Sequence, residues 1–339
     1  MKSPVTALLA TCSLLAGLGS VHAGEVTLYS HRHYEADDVL YAKFTEQTGI
    51  QVNVVKASAD ELIERLKAEG DNSKADLLMT ADAGRLHRAK AEGLLQSVES
   101  EVLESLIPSA LRDADDQWFA FTKRARIFAY APDRVKPEEL STYEALAGDA
   151  WRARVVARSS SNIYNQSLLA SVIAEHGEAG ALEWANGVRD NMARPPQGSD
   201  RDQMRAVAAG LADLAIVNTY YVGLLVNSED PKDQAVGNAL KLFFPNQDDR
   251  GTHVNVSGAG VTKASKNRDE AIQLLEFLAS DEAQSTFPST TYEYPVVEGI
   301  EWSPLQKQWG AFKEDSLNLS TLGELNGKAV ELFNEAGWE

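Results

Sequence analysis

The pattern of apolar and polar residues near the start of the chain changes period from one segment to the next. Residues 25–30, EVTLYS, alternate and are rich in β-branched and aromatic side chains, which predicts a β-strand. In residues 35–47 the apolar side chains of Val39, Leu40 and Phe44 fall at helical spacing. This spacing predicts an α-helix with those three residues on its buried face.

The same alternation of strand and helix continues further along the chain. IQVNVVK and ADLLMT predict two more strands, and RLHRAKAEG predicts a helix that ends at Gly93. Between them, SADE at Ser58–Glu61 has the pattern of a capping box, in which each side chain accepts a hydrogen bond from the other residue's backbone. Strands that alternate with helices predict a parallel sheet covered by helices.

A second set of α/β elements follows in the other half of the chain. ARVVAR and LAIVN predict strands, while NQSLLASVIAEHG, RDQMRAVAAG and NRDEAIQLLEFLAS predict amphipathic helices. Two such sets predict two lobes. The segment FTKRARIFAY has the pattern of a strand that could run between the lobes, and PNQDDRGTH near Pro245 predicts a loop or a second crossing.

The first 23 residues have the pattern of a secretory signal peptide. Lys2 supplies the positive start, VTALLATCSLLAGLG the apolar stretch, and VHA the small residues before a cleavage site after Ala23. The single cysteine, Cys12, lies in this segment, so the exported chain would contain no disulfide. We therefore expect a periplasmic protein that is stabilised by its core.

Composition and charge narrow the classes of function. The chain has 339 residues, of which 44% are hydrophobic and 24% charged, as in a folded globular protein. Its net charge of −18 argues against a nucleic-acid-binding protein and against an anionic membrane as the main partner. The acidity fits solubility, a cationic ligand or a basic docking partner.

Tyrosines follow three of the predicted strands. Tyr34 follows the first strand, Tyr164 follows ARVVAR, and Tyr220 and Tyr221 follow LAIVN. Any one of them alone would be interpreted as a packing residue. Because ligands of open α/β sheets bind beyond the carboxyl ends of the strands, their joint placement predicts a ligand site.

Four phenols and an imidazole fit one kind of ligand particularly well. A phenol is neutral at pH 7, but a small cation of high charge favours its ionised form, and Fe³⁺ has that charge density. Four tyrosinates and a neutral histidine around Fe³⁺ would carry a net charge of −1, which a nearby arginine would offset. Arg124 and Arg126 are candidates for that role, the alternative being that both are ordinary surface charges.

Several segments resemble, in order, the motifs of the periplasmic ferric-ion-binding proteins that serve ABC-type importers: SHRHY, KRAR, RSSSNIYNQSL, ARPPQGSDRDQ, NTYYVG, GTHVNVSGAGV and YEYPV. The resemblance implies a two-lobed α/β fold of the type II periplasmic binding-protein class. Its mixed sheets would carry helices on both faces, and hinge strands would join the lobes. With residues 1–23 as the signal peptide, we expect residues 24–120 and 246–296 to form the first lobe. We expect residues 121–245 and 297–339 to form the second.

The resemblance also implies a set of metal ligands. Tyr220 and Tyr221 match the family's tyrosine pair, Tyr164 matches a third ligand, and Tyr34 matches a tyrosine supplied by the first lobe in one branch of the family. His33 precedes Tyr34 and is a candidate fifth ligand.

The arginine and the anion requirement follow from the same resemblance. Arg124 is expected beside the ligands, where it offsets tyrosinate charge. Another branch of the family uses a glutamate and an exogenous anion. Because Tyr34 is present here, we expect little need for such an anion. His31 matches no ligand.

The function implied is transport. The chain is expected to be a monomer that captures Fe³⁺ between its lobes, closes by hinge motion and delivers the ion to an inner-membrane ABC permease. Ferrous iron, another metal or an oxyanion in the same fold are the alternatives. A secreted enzyme is the alternative from another class, but the chain has no GxSxG or HExxH motif and no cysteine nucleophile outside the leader.

Overall fold

The computed structural model describes residues 24–32 and 34–339, so the predicted signal peptide with Cys12 lies outside the described residues. In the described chain the strands are β1 (Glu25–Ser30), β2 (Gln51–Lys56), β3 (Leu77–Ala81), β4 (Phe119–Tyr130), β5 (Val155–Val156), β6 (Leu214–Asn218), β7 (Lys241–Phe243), β8 (Val254–Val261) and β9 (Tyr294–Pro295). The α-helices are α1 (Glu35–Thr48), α2 (Ala59–Glu69), α3 (Ala83–Ala91), α4 (Glu101–Leu106), α5 (Ile163–Asp190), α6 (Asp200–Ala208), α7 (Thr219–Val226), α8 (Pro231–Ala239), α9 (Arg268–Leu278), α10 (Asp281–Gln284), α11 (Phe287–Thr290), α12 (Pro304–Trp309), α13 (Ser320–Glu324) and α14 (Asn326–Ala336). Short 3₁₀ helices lie at Gly70–Asn72, Ser109–Leu111, Pro137–Glu139, Glu144–Ala147 and Asp149–Trp151.

The strands follow the order β2-β1-β3-β8-β4-β6-β5, and β7 and β9 also pair with β4. β1 is parallel to both β2 and β3, as the strand–helix alternation predicts. β8 is antiparallel to β3 and to β4, so the sheet is mixed, which agrees with the fold that the resemblance implies.

Strand β4 runs through both halves of the molecule. Its residues from Phe119 to Ala125 pair with β8, and those from Arg126 to Tyr130 pair with β6. We call the part built on β1, β2, β3 and β8 the first lobe and the part built on β5, β6 and β7 the second lobe. FTKRARIFAY is therefore the crossing strand that the sequence predicts, while the residue boundaries assigned to the lobes stay a prediction.

Helix α1 differs in one respect from its predicted buried face. Leu40 and Phe44 are buried as expected, together with Tyr41, but Val39 is 54% exposed. The assignment of Val39 to the buried face was wrong because the core lies on the Leu40–Phe44 side, where Tyr41 fills the neighbouring position. The capping box of α2 is confirmed, with hydrogen bonds from the Glu61 backbone N–H to Ser58 Oγ (3.3 Å) and from the Ser58 N–H to Glu61 Oε2 (2.9 Å).

Helix α5 is interrupted near its middle and packs against the last helix of the chain. The predicted helix ends at Gly177, and there the backbone is indeed non-helical (φ 70°, ψ 175°), although helical residues resume beyond it. α14 packs along α5, so the end of the chain lies against that helix. Among the described residues, no helix combines the length and the apolar character that crossing a membrane requires.

Candidate metal centre

The four tyrosines stand where a strand or loop enters a helix. Tyr34 is the N-cap residue of α1, with extended backbone angles (φ −80°, ψ 138°). Tyr164 is in the first turn of α5, where its N–H donates to the capping side chain of Asn162 at 3.0 Å. Tyr220 and Tyr221 are the second and third residues of α7, directly after β6. The turns after β1 and β6 and the start of α5 therefore all present phenols, as the sequence predicts.

These turns meet at one cavity of about 310 Å³. Tyr34 lines it from the first lobe, and Tyr164, Tyr220 and Tyr221 line it from the second. Arg124 of the crossing strand lies on its wall. The remaining lining residues are His31, Arg32, Ala81, Arg201, Leu224, Ser257 and Glu293. The predicted site residues are thus brought together, except His33, which lies outside the described residues.

The second-lobe tyrosines contact one another. The hydroxyl oxygens of Tyr164 and Tyr220 are 3.4 Å apart, and the rings of Tyr220 and Tyr221 lie 4.2 Å apart between centroids. Tyr220 is almost fully buried. Two oxygens at such a separation could bind the same small ion with little movement of either side chain.

Three arginines surround the ring of Tyr164. The guanidinium carbons of Arg124, Arg126 and Arg158 lie 5.6, 6.0 and 5.6 Å from its centroid. Arg124 is 2% exposed and Arg126 is 1% exposed, so the alternative that both are ordinary surface charges was wrong. Their positive charges lie where they would stabilise a phenolate.

Burial keeps three of the phenols, those of Tyr34, Tyr220 and Tyr221, protonated in the absence of a metal. Burial raises the pKa of Tyr34, and the Glu293 carboxylate raises it further, against a lowering by Arg32. Burial raises the pKa of Tyr220 well above its ordinary value, and it also raises the pKa of Tyr221. Tyr34, Tyr220 and Tyr221 therefore present neutral phenols at neutral pH, which only a strongly polarising cation would deprotonate.

The usual ligands of divalent metals are not clustered in the described chain. Over residues 24–32 and 34–339 no group of three or more His, Cys, Asp and Glu side chains is arranged to hold a metal ion. The oxygen donors of the cavity are mainly phenols, a donor type suited to a hard, highly charged ion.

Sequence reasoning missed the ion-pair network beneath Tyr34. The Arg32 guanidinium donates to both carboxylate oxygens of Asp37 at 3.0 Å, to Glu293 Oε2 at 2.7 Å and to Thr122 Oγ1 at 3.2 Å. Its central carbon is 4.8 Å from the Tyr34 ring centroid. Arg32 and Glu293 occur in SHRHY and YEYPV, but no local pattern links residues so far apart in the chain.

The chain matches known proteins over most of its length. The sequence profile of the bacterial extracellular solute-binding proteins matches residues 31–285. The chain belongs to this family. As a solute-binding protein it serves transport by binding a ligand.

Relatives and solved structures agree with that assignment. This solute-binding protein is 51% identical over 315 residues to iron uptake protein A1 of Synechocystis sp., covering 93% of this chain and 88% of that protein. A Trichodesmium protein solved in complex with iron and citrate ligands is 50% identical with a TM-score of 0.91, over 93% of this chain and all (100%) of the other. The ferric binding protein from Campylobacter jejuni is 47% identical with a TM-score of 0.88, over 93% and 100% of the two chains.

Proposed function

We propose that this solute-binding protein captures ferric iron in the cavity between its lobes through the oxygens of Tyr34, Tyr164, Tyr220 and Tyr221, and delivers it to an ABC importer. The observation that carries the proposal is the convergence of these four phenols, one from the first lobe and three from the second, on a single cavity. The relatives named for iron uptake and ferric binding support it, and they favour iron over an oxyanion.

Charge explains why the ion would be ferric. Each tyrosine that binds must lose a proton, and the raised pKa values of Tyr34, Tyr220 and Tyr221 make that loss costly. A trivalent ion polarises a phenol far more strongly than a divalent ion of similar size, because the attraction scales with its charge. Divalent ions prefer histidine and carboxylate ligands, which are not clustered among the described residues.

Arg124 would offset the negative charge of the bound tyrosinates. Its guanidinium is buried beside the Tyr164 ring and donates to Ser257 Oγ at 3.2 Å, which fixes it on the cavity wall. His33 adjoins Tyr34 in sequence and would supply a neutral fifth ligand. With four phenolate oxygens available, no exogenous anion would be required.

Capture would close the cleft. Ligands from the two lobes can bind one ion only when the lobes approach, and the crossing strand β4 is where such a hinge motion would occur. The closed, iron-loaded monomer would then be recognised by an inner-membrane permease. Its acidic surface, with a net charge of −18 for the whole chain, suits a basic permease face. Export to the periplasm would be directed by residues 1–23, with cleavage after Ala23.

The test is a ferric citrate titration of the purified protein without its leader. The wild type should develop a visible phenolate-to-iron charge-transfer band that saturates at one ion per chain. Tyr220→Phe combined with Tyr221→Phe should lose that band, while Tyr130→Phe, a buried tyrosine at the far end of β4, should retain it. A colourless wild type that binds zinc or phosphate instead would overturn the proposal. His33→Ala separates five ligands from four through the band position and the iron affinity.

A further inference from the structure

A buried guanidinium connects the elements that carry the second-lobe tyrosines. Arg126 follows Arg124 by two residues in β4 and is 1% exposed. Its Nη1 donates to Asp200 Oδ2 at 2.7 Å and to Asn218 Oδ1 at 3.0 Å. Its Nη2 donates to Asn165 Oδ1 at 2.7 Å.

The residues that bind Arg126 are close to the second-lobe tyrosines. Two of them are near a tyrosine in sequence, and the third binds one of those two. Asn165 directly follows Tyr164 in the first turn of α5. Asn218 is the N-cap residue of α7 and precedes Tyr220 by two positions. Asp200 begins α6, and its Oδ2 also accepts the backbone N–H of Asn218 at 2.8 Å. One guanidinium therefore joins the start of α5 to the start of α7.

We propose that Arg126 is a positioning residue for ferric binding: its planar guanidinium fixes the spacing between Tyr164 and the Tyr220–Tyr221 pair. The inference rests on the proposed function, since it names what organises that same site. The spacing at stake is the 3.4 Å between the hydroxyl oxygens of Tyr164 and Tyr220. Binding sites tolerate deviations of only about 0.5 Å from productive geometry, so a small shift of either helix start matters.

Stability alone does not account for this arrangement. A buried Arg–Asp pair must recover a large desolvation cost, and well-packed apolar residues in its place are often as stable or more so. What an arginine adds is direction: its donors lie in one plane and bind Asp200, Asn218 and Asn165 at the same time. A lysine at this position would keep the charge but hold its three donors on one nitrogen. It could not reproduce the planar arrangement of donors on two nitrogens.

The substitution Arg126→Lys separates positioning from charge. Because the positive charge near Tyr164 is retained, a purely electrostatic role predicts an unchanged charge-transfer band and iron affinity. The positioning role predicts a weakened or shifted band and a loss of ferric affinity on the order of tenfold or more, measured by competition with citrate. Asp200→Asn, which keeps the shape but weakens the charge-assisted bond, should shift the band in the same direction.

Arg134→Lys is the matched control. Arg134 lies in the same lobe, donates to Asp213 Oδ1 at 2.9 Å and to the carbonyl oxygen of Val207 at 2.6 Å, and lines no part of the iron cavity. It should reduce thermal stability without changing the iron band. If Arg126→Lys does not fold, Asp200→Asn carries the test on its own.

The outcomes distinguish this inference from the proposed function. A wild type without a ferric band refutes the function and the inference with it. A wild type with the band, together with an Arg126→Lys or Asp200→Asn protein whose band and affinity equal those of the wild type, refutes the positioning role alone.

Discussion

The first lobe contributes a single tyrosine from a segment outside regular structure, whereas the second lobe contributes three tyrosines from the first turns of two helices. Tyr34 caps α1 without a side-chain capping bond. Tyr164 and the Tyr220–Tyr221 pair already touch one another in this structure. In the proposed site, the second lobe would thus supply a preorganised half-site formed by Tyr164, Tyr220 and Tyr221, and the first lobe would complete it with Tyr34 on closure.

Both half-sites use a buried arginine bound to a carboxylate, but the arginines act at different distances from the phenols. Arg32 lies directly over the Tyr34 ring, at 4.8 Å from its centroid, and is bound to Glu293 and Asp37. Arg126 instead binds residues next to the tyrosines in sequence. The electrostatic settings also differ, because Glu293 opposes ionisation of Tyr34 whereas three arginines surround Tyr164. The charged groups nearest the phenols therefore differ between the two lobes: a carboxylate beside Tyr34 and guanidinium groups around Tyr164.

Of the changes considered, acidification is expected to have the largest effect on ferric affinity. Because burial raises the pKa of Tyr34, Tyr220 and Tyr221 above the ordinary value, these phenols are protonated in the iron-free protein and must release protons when iron binds. Each released proton lowers the apparent affinity by about tenfold for every unit of pH decrease, since protons and iron compete for the same oxygens. Competition titrations with citrate between pH 7.5 and 5.5, corrected for citrate and iron speciation, should give this slope. In Tyr34→Phe the slope should fall by about one proton. An affinity independent of pH would contradict phenolate binding.

Single substitutions in the two half-sites should differ in effect. Tyr164→Phe removes an oxygen from the preorganised half-site, where three arginines would stabilise its charge, and should weaken ferric binding more than Tyr34→Phe does. Both proteins should keep a charge-transfer band, because three tyrosines remain in each. Stopped-flow chelation of the loaded proteins measures the comparison, with Tyr130→Phe as the control. Faster iron loss from Tyr34→Phe than from Tyr164→Phe would reverse the ranking of the two lobes.

The tyrosines could be found from the sequence because a strand end is a local feature. Tyr164 and Tyr220 each follow a short apolar run, and the rule that ligands bind beyond strand ends needs no knowledge of which strands are neighbours. The ion pairs that support them could not be found in this way. Arg32 and Glu293 are separated by 261 positions, and their contact depends on how β9 pairs with β4. The burial of Arg126 likewise depends on tertiary packing, since a charged residue in a strand is usually exposed.

Removing the negative charge of Glu293 should lower the free energy of unfolding moderately, because it weakens the ion pair beneath Tyr34. Glu293→Gln removes one of the two anionic partners of Arg32, the one in a buried 2.7 Å ion pair, while Asp37 remains. Charge-assisted hydrogen bonds of this kind contribute about 2 kcal/mol, so the free energy of unfolding of the iron-free protein should fall by roughly that amount. Denaturant unfolding measures it, with exposed Glu298→Gln as the control. If both variants unfold at the same midpoint, the pair does not support the first half-site.

The smallest effect on stability is expected from removing a hydrogen bond that links the helix of Tyr164 to the first lobe. Ser167, one turn beyond Tyr164 in α5, donates at 2.8 Å to Asp82 Oδ1 of the first lobe, and the other oxygen of that carboxylate accepts from Asn255 at 2.9 Å. Ser167→Ala leaves Asp82 with its remaining donors and should cost about 1 kcal/mol of unfolding free energy. The iron band should not change, since the tyrosines are untouched. Ser171→Ala is the matched control, because that hydroxyl donates within α5 to the carbonyl oxygen of Leu168. If Ser167→Ala shifts the iron band while Ser171→Ala does not, this contact also sets the geometry of Tyr164, and the two half-sites are coupled before closure rather than assembled by it.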